Sequence, residues 1–263
     1  MSEKKTQKKN KKKLDKAINV VFVLLFGLLS ASLAFGGYKI YETLHTYKEA
    51  ENSYESVIEA VRKSEESNSG NQEETAADPG LDFDALIEMN PDFVGWIRLE
   101  DTVVDYPVVK TGNNDYYLRR LFNRERNNAG CLFVDFRNGD LFNDQVTLIY
   151  GHNMHNGSMF HVVEEYKKQE YYDAHPVWMF YTPKTTYKLE PFAGKLQNAE
   201  VPFVAMNFVN QSEFFRYIDA FIRDSLFESD VVIEENDRIV MLVTCGYDYT
   251  SARYVLLCRV SEI

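Results

Sequence analysis

Cysteine is scarce in this sequence of 263 residues, which contains three: Cys131, Cys245 and Cys258. An odd and low count excludes a small scaffold held by disulfides and any zinc site built from four cysteines. At least one thiol is therefore left unpaired within the chain. The sequence also lacks the GxGxxG, GxxxxGK[ST] and HExxH motifs, so nothing supports a dinucleotide site, a P-loop or a zinc protease.

Positive charge is scarce outside the first 16 residues. Those residues hold eight Lys and two acidic side chains, whereas residues 17–263 carry 21 basic and 38 acidic side chains. Nucleic-acid binding needs clustered Lys and Arg that contact phosphates, so the acidic body is a poor candidate for it. The hydrophobic share of 45%, with 14% aromatic residues, is that of a globular protein with a substantial core.

The stretch 17–38 contains no charged residue and directly follows the Lys-rich tail. At about 1.5 Å per residue, roughly 20 helical residues cross the hydrocarbon core of a bilayer. We therefore predict a basic cytoplasmic tail at 1–16 and a transmembrane anchor at 17–38, because an excess of Lys stays on the cytoplasmic side. Everything from Lys39 onward is then extracellular. A buried core helix and a signal peptide cleaved near Ser32 and Ala34 are the alternatives.

Residues 39–80 are predicted to form an extracellular stalk helix followed by a flexible linker. Tyr47, Tyr54 and Val61 recur at seven-residue spacing and give an otherwise charged helix one apolar stripe. The helix is then either a solvated spacer or one half of a short coiled coil with a second copy. The linker at 64–80 is polar, acidic and punctuated by Gly and Pro.

The folded domain is expected to span 81–263 and to be mainly β. After a short amphipathic helix that ends before Pro91, short β-rich runs are separated by turn clusters such as TGNND and RNGD. One clear helix interrupts them at 211–227, with apolar residues on one face. Many short strands with few helices favour a barrel or a sandwich.

A candidate nucleophile lies between the last two β-rich runs. RIVMLVTC ends in Cys245, the polar loop GYDYTSA follows, and the run RYVLLCRV begins with Arg253. If the two runs form a hairpin, Cys245 and Arg253 become cross-strand neighbours with Cβ atoms about 5 Å apart. The guanidinium then favours the thiolate. A buried apolar role is the alternative for Cys245 and the expected role of Cys131 and Cys258, because free cysteines are commonly buried.

Acyl transfer by a thiolate also needs a group that protonates the leaving amine. Among the five histidines, His152 is the best placed, because it follows a β-rich run and Gly151 at the exit toward a loop. His155 and His161 lie close by, but the segment supplies no Cys, Asp or Glu between the three histidines. We therefore expect no metal site and interpret His155 and His161 as surface residues.

At these residues the sequence resembles the sortases, which are cysteine transpeptidases of Gram-positive bacteria. The family pattern is a His after a strand, a TLxTC-like strand end and an Arg on the next strand. It reads here as YGHNM, LVTC and Arg253. Met241 replaces the first Thr of TLxTC, a departure that touches no reacting group. The helix at 211–227 and the opening segment VGWIRLEDTVVDYPVVKTGNNDYYLRRLF resemble class B sortases in particular.

The resemblance implies a fold and three catalytic residues. The fold is a closed eight-stranded β-barrel of the sortase type with flanking helices, here preceded by the N-terminal transmembrane helix. Cys245 attacks the peptide carbonyl at the Thr of a sorting signal and forms a thioester acyl-enzyme. His152 protonates the leaving amine and later deprotonates the incoming one, and Arg253 holds the substrate carbonyl or the developing oxyanion.

Other site residues are also implied by the resemblance. Asn114 and Leu118 match an NxxYL-like segment that lines the pocket of class B enzymes. Thr244 precedes the nucleophile and is expected to contact substrate. Asp248 is close enough to Cys245 in the sequence to be a candidate for orienting His152.

The implied partners are secreted proteins that bear a C-terminal sorting signal, together with an amine acceptor. That acceptor is either a peptidoglycan precursor of the cell wall or a Lys of a pilin subunit, and no cofactor is implied. The implied location is the cell membrane, crossed once, with the catalytic domain outside. Two other functions stay open: a hydrolytic cysteine peptidase, and a non-catalytic wall-facing domain in which Cys245 is a core residue.

Overall fold

The computed structural model describes residues 2–62, 80–201 and 203–263. Helix α1 runs over Ser2–Val61, and the chain divides into the compact units Met1–Lys48 and Glu49–Ile263. The linker predicted at 64–80 lies outside the described residues, apart from Gly80.

The first unit is occupied by the N-terminal part of α1. In the described part of the chain, α1 is the one helix long and apolar enough to cross a membrane. An 18-residue window in it has a mean hydropathy of 2.0, and none of that window is buried. Side chains such as Leu24 and Phe26 are 61% and 72% exposed. Because so much contiguous apolar surface is unfavourable in water, this part of α1 is a candidate membrane span.

The second unit contains a closed barrel of eight strands, as the sequence predicts. In chain order the strands are β1 (Phe93–Arg98), β2 (Asp105–Val109), β3 (Leu132–Val134), β4 (Val146–Tyr150), β5 (Trp178–Tyr181), β6 (Thr186–Asn198), β7 (Arg238–Cys245) and β8 (Ala252–Glu262). Around the barrel the order is β1-β2-β3-β4-β7-β8-β6-β5, and β5 pairs with β1 to close it. Closure removes the free edges that an open sandwich would have, and it settles the choice between the two predicted folds.

The strand pairing brings distant segments to one rim of the barrel. β4 and β7 are parallel neighbours, in register from Val146 opposite Ile239 to Tyr150 opposite Val243. The carboxyl ends of the two strands therefore lie side by side, although more than ninety residues separate Tyr150 from its partner Val243 in the sequence. β7 then pairs with β8 in an antiparallel hairpin.

Short α-helices flank the barrel in the described residues. They are α2 (Phe83–Met89), α3 (His161–Glu165), α4 (Gln169–Ala174) and α5 (Gln211–Arg223). α5 begins at Asn210, whose side-chain oxygen accepts a hydrogen bond from the Glu213 amide at 3.0 Å, an arrangement typical of a helix N-cap. Its apolar face packs on the barrel core through Phe214, Ile218 and Phe221.

The helix predicted at 211–227 ends earlier, at Arg223. Beyond it the Leu226 amide donates to the Gly194 carbonyl oxygen at 2.8 Å, which ties the chain back to β6. Phe227 lies in this turn rather than in the helix, and its side chain is buried. The apolar spacing in the sequence extends past the helix end because a residue of the turn also packs on the core.

The last turns of α1 pack against the barrel instead of standing apart from it as a solvated spacer. Tyr54, Val57 and Val61 are buried, and the Tyr54 ring meets the Tyr106 ring edge-on at 5.2 Å. The apolar stripe found in the sequence thus has a partner within the same chain. It follows that the compact unit begins at Glu49, well before the boundary expected at residue 81.

The residues on either side of segment 63–79 lie next to each other. Arg62 and Leu81 form an isolated antiparallel bridge, and the Asp82 amide donates to the Val61 carbonyl oxygen at 2.6 Å. α2 follows at once, with the Asp82 side chain accepting from the Ala85 amide at 3.0 Å. The end of α1 and the start of the predicted domain are therefore directly joined by backbone hydrogen bonds.

Candidate active site

Cys245 and Arg253 face each other across the end of the β7–β8 hairpin. Cys245 is the last residue of β7, and Arg253 is its registered partner on β8. The intervening loop, 246–251, turns the chain, and the Gly246 amide donates to the Ala252 carbonyl oxygen at 2.9 Å. The structure thus forms the hairpin that the sequence predicts and places a guanidinium-bearing residue beside the thiol.

The three cysteines lie in different surroundings. Cys131 and Cys258 are buried at 1% and 0% exposure, whereas Cys245 is half-buried at the barrel rim. Burial raises the pKa of the Cys131 thiol to about 12, against a smaller opposing effect of the Tyr54 hydroxyl. Burial also raises the pKa of Cys258 well above its usual value. A thiolate is the reactive form of cysteine, so Cys131 and Cys258 are chemically inert in the folded protein.

His152 stands two residues beyond the end of β4, beside the end of β7. Its Nε2 lies 2.7 Å from the Leu118 carbonyl oxygen. A carbonyl oxygen can only accept, so Nε2 carries the hydrogen and donates it. This contact fixes the tautomer and leaves Nδ1 as the ring nitrogen for proton transfer.

Two glycines make room for the imidazole and its neighbours. A Cβ on Gly151 would lie 2.4 Å from the Leu132 side chain and 2.6 Å from the Phe160 ring. Gly130 has a φ of +61°, and a Cβ there would lie 2.7 Å from the Tyr117 carbonyl oxygen and 3.1 Å from the His152 ring. Any larger residue at either position would displace the segments that hold the histidine.

Six of the seven candidate site residues from the sequence, all except Asp248, line one cleft of about 220 Å³. Its lining consists of Asn114, Leu118, Phe133, Tyr150, Gly151, His152, Val243, Thr244, Cys245 and Arg253. Leu118 is 36% exposed at the mouth of the cleft. The Asn114 side-chain oxygen accepts a hydrogen bond from the Phe136 amide at 2.9 Å, which holds the Asn114 loop against the segment that follows β3.

Thr244 and Asp248 have partners within the protein. The Thr244 side chain is buried, and its hydroxyl donates to the Gly151 carbonyl oxygen at 2.9 Å. The Asp248 carboxylate binds the Lys167 ammonium at 2.6 Å, and that hydrogen bond keeps the pKa of Asp248 below its usual value. Asp248 is thus paired with a lysine, whereas the sequence made it a candidate partner of His152.

Most N–H donors of the Arg253 guanidinium are available to a molecule bound in the cleft. Its Nη1 donates to the Ala252 carbonyl oxygen at 2.9 Å. Within the described part of the chain it joins no ion pair, in contrast to Arg98, Arg137 and Arg259, each of which binds a carboxylate. A guanidinium has five N–H donors, so several remain to bind an oxygen of a substrate.

Sequence reasoning missed the aromatic wall and one polar residue of this site. Phe133 and Tyr150 lie on the neighbouring strands β3 and β4, with stacked rings 5.3 Å apart. Asn153 is buried next to His152, and its side-chain amide donates to the Cys245 carbonyl oxygen at 2.8 Å. Tyr150 and Asn153 both belong to the YGHNM segment, but the local sequence does not show which strand lies next to that segment.

Comparisons with known proteins agree with this geometry. No protein-family model matches the chain. The chain is 35% identical to the sortase B of Listeria monocytogenes over 173 residues, which cover 65% of this chain and 70% of that protein. It is 31% identical to the sortase B of Staphylococcus aureus over 238 residues, which cover 90% of this chain and 95% of that protein.

Solved structures extend the agreement to three dimensions. A Staphylococcus aureus sortase B–substrate complex is similar with a TM-score of 0.72 at 30% identity, over 82% of this chain and 98% of that one. A sortase B of Clostridium perfringens is similar with a TM-score of 0.64 at 34% identity, over 68% of this chain and 98% of that one. With this sequence identity, this barrel and a cysteine at its rim, the chain belongs to the class B sortases and is a cysteine transpeptidase.

Proposed function

We propose that the protein is a membrane-anchored transpeptidase that cleaves a C-terminal sorting signal from secreted proteins and joins them to an amine of the cell wall. The observation that carries the proposal is the convergence of His152, Cys245 and Arg253 on one cleft. Each comes from a different place in the sequence, and each supplies one function that acyl transfer requires. The solved sortase B–substrate complex from Staphylococcus aureus supports a substrate-binding role for this chain as well.

The first half-reaction forms the acyl-enzyme. The Cys245 thiol gives its proton to Nδ1 of His152, and the sulfur attacks the carbonyl carbon of the scissile peptide bond, whose oxygen becomes an oxyanion. The carbon–nitrogen bond then breaks, and His152 gives its proton to the departing amine. The N-terminal part of the substrate stays bound as a thioester on Cys245.

The second half-reaction transfers the acyl group. An acceptor amine attacks the thioester carbonyl, His152 takes one proton from the amine, and the sulfur leaves as a thiolate to which His152 returns that proton. A solved sortase B complexed with triglycine supports an acceptor with a free α-amine. The products are a new amide bond and the regenerated enzyme.

Arg253 stabilises the negative charge that develops on the carbonyl oxygen. The residue lies directly across from Cys245, and its guanidinium has no carboxylate partner among the described residues. Donors placed where charge appears in the transition state are worth more than donors that bind the ground state equally well.

The remaining wall residues shape the cleft for a peptide. Leu118 offers an exposed apolar side chain, and the stacked rings of Phe133 and Tyr150 add an aromatic surface. Asn114 supplies a polar side chain at the mouth. Thr244 also lines the cleft, and its hydroxyl donates a hydrogen bond to the Gly151 carbonyl oxygen.

The N-terminal part of α1 anchors the enzyme, with the basic tail in the cytoplasm and the barrel outside. The exposed apolar window and the eight Lys before it support this orientation. Protease added to intact cells without their wall is expected to digest the barrel and to spare the tail. Protection of the barrel would reverse the orientation.

The reaction is tested with a short peptide that contains a Thr-bearing sorting signal. The enzyme alone should hydrolyse it slowly, and added triglycine should divert the product from the free acid to the amide. Mass spectrometry of the products measures the ratio. A Cys131→Ala variant is the control and should give the same product ratio as the wild-type enzyme, because it removes a buried thiol and leaves the cleft intact.

The product ratio also separates the other candidate functions. Hydrolysis alone at saturating acceptor would make the protein a cysteine peptidase. Transfer to a pilin Lys side chain in preference to triglycine would make it a pilus polymerase. The wall-anchoring role predicts that the α-amine of triglycine is the better acceptor.

A further inference from the structure

The backbone ladder between β4 and β7 stops just before the catalytic histidine. The last backbone bond runs from the Gly151 amide to the Val243 carbonyl oxygen at 3.1 Å. Beyond it the chain turns away, because the Phe160 amide donates to the His152 carbonyl oxygen at 2.9 Å and Asn153 bridges to Met159. The main chain that carries His152 is therefore paired with its own turn rather than with the strand that ends in the nucleophile.

Two side chains replace the missing backbone bonds. The Thr244 hydroxyl donates to the Gly151 carbonyl oxygen at 2.9 Å, and the Asn153 amide donates to the Cys245 carbonyl oxygen at 2.8 Å. His152 is thus flanked on both sides by residues that are bonded to the end of β7. Asn153 in particular joins the neighbour of the histidine to the peptide group of the nucleophile.

The Asn153 side chain is buried and its amide orientation is fixed. Its Nδ2 donates to the Glu164 carboxylate as well as to Cys245, and its Oδ1 accepts from the His161 Nδ1–H at 2.7 Å. Two acceptors on one side and a donor on the other allow only one orientation of the amide. The residue is 4% exposed, so water does not compete for these bonds.

The same cluster holds the loop after Cys245. The Tyr247 hydroxyl donates to the Asn153 carbonyl oxygen, and the Tyr247 ring stacks on His155 at 4.6 Å. Lys167 bridges Glu164 at 2.5 Å and Asp248 at 2.6 Å. The polar contacts around Asn153 therefore join the segment after His152 to both sides of Cys245.

We propose that Asn153 is a positioning residue, which sets the separation and orientation of Cys245 and His152 without touching the substrate. The inference rests on the proposed function, in which Cys245 attacks the carbonyl carbon and His152 transfers protons to and from the amine bonded to that carbon. A shift of about 1 Å in such a pair lowers the rate of the chemical step by about 100-fold, whereas substrate binding depends on other walls of the cleft.

The test is Asn153→Asp, which keeps the shape but turns a donor into an acceptor that faces the Cys245 carbonyl oxygen and Glu164. We expect kcat to fall by about 100-fold while KM changes less than about threefold. Asn156→Asp is the matched control, because it adds the same charge to the same turn at an exposed residue whose Oδ1 accepts from Ser158 and can still do so. A wild-type kcat for Asn153→Asp, or an equal loss in the control, would overturn the proposal.

A second pair of variants keeps the test valid if Asn153→Asp does not fold. His161→Leu removes the donor that orients the Asn153 amide, and it is expected to lower kcat several-fold. His161→Gln, whose side-chain amide can donate again to Oδ1, is expected to restore most of that loss. Equal kcat values for the Leu and Gln variants would contradict the proposal.

Alkylation of Cys245 by iodoacetamide at neutral pH separates this proposal from the proposed function. It needs no peptide substrate, and it should be slower in folded Asn153→Asp than in Asn156→Asp. If wild-type protein turns over no sorting peptide yet this difference is found, the proposed function fails and the positioning role stands. If turnover is normal and the alkylation rates and kcat are equal in the two variants, the positioning role fails alone.

Discussion

Cys258 and Cys245 belong to the same β7–β8 hairpin but lie in two different regions of the barrel. Cys258 pairs with Val240 in the barrel wall, is fully buried, and has a pKa raised by that burial. Cys245 pairs with Arg253 at the rim and lines the cleft. The contrast teaches that the position of a thiol along the strand decides between a packing role and a chemical one.

The two regions are also held together by different interactions. In the wall, continuous backbone ladders and apolar contacts determine the geometry. At the rim the ladders end, and side chains take over: Thr244 bonds Gly151, and Asn153 bonds the carbonyl oxygen of Cys245. Because individual side-chain bonds hold the rim, single substitutions can test each of those bonds.

The largest effect is expected from Arg253→Lys at the rim. Lys keeps the positive charge but loses the planar set of donors, so we expect kcat/KM to fall by about 100-fold or more. The melting temperature should hardly change, because Arg253 joins no ion pair among the described residues. Steady-state kinetics and thermal unfolding measure the two quantities. A Lys variant with nearly normal turnover would mean that the residue supplies charge alone.

Removal of the end of α1 tests whether the rim depends on a segment outside the barrel. The Tyr54 hydroxyl donates to the Gly130 carbonyl oxygen at 2.6 Å, and Gly130 packs beside His152. A chain that starts at Leu81 loses four buried apolar side chains among the described residues, of which Tyr54, Val57 and Val61 each contribute about 1.5 kcal/mol or more. We expect it to be less stable than a chain that starts at Glu49 by about 4.5 kcal/mol or more in urea unfolding. Equal free energies of unfolding for the two chains would show that the apolar stripe on α1 does not stabilise the barrel.

A smaller effect is expected from Cys258→Ala in the wall. The change removes one buried sulfur, so the free energy of unfolding should drop by about 1–2 kcal/mol while kcat stays normal. Urea unfolding and steady-state kinetics give both values. Loss of turnover at full stability would contradict the division between wall and rim.

The smallest effect is a pH dependence that arises from Cys131. Its folded pKa of about 12 lies above the usual value of 9.0, so the unfolded chain loses a thiol proton that the folded chain keeps. Stability is therefore complete below about pH 8 and falls as the pH rises through 9 toward 12. Between pH 8 and 9.5 the loss from this group is about 0.8 kcal/mol. Cys131→Ala should lack that part of the slope in urea unfolding, and an identical slope would contradict the burial of the thiol.

The sequence predicts those features that depend on local patterns. Cys245 and Arg253 are near in sequence and flank one loop, so a hairpin alone makes them neighbours. Many short apolar runs with turn residues between them predict a barrel or a sandwich, and the resemblance to the sortases implies the closed eight-stranded barrel. Asn114 and Leu118 were found through the family resemblance, because nothing in their own segment points to a cleft.

Other features depend on contacts between distant segments and could not be predicted. The bond from Asn153 to Cys245 requires the parallel pairing of β4 with β7, which are not consecutive strands. The stripe around Tyr54 and Val57 predicts a buried face but not its partner, and here the partner is the barrel of the same chain. The end of α5 is set by a turn that buries Phe227, which spacing alone does not distinguish from another helical turn.

Mass spectrometry of the intact enzyme shows directly which residue carries the acyl group. The enzyme is mixed briefly with a sorting-signal peptide, and the reaction is quenched in acid. We expect one added mass equal to the N-terminal part of the peptide, located by digestion on Cys245, and its rapid loss when triglycine is added. Cys245→Ala should gain no mass, whereas Cys258→Ala should gain it normally. An adduct on another residue, or peptide cleavage by Cys245→Ala, would contradict the central claim that the rim thiol carries the acyl group.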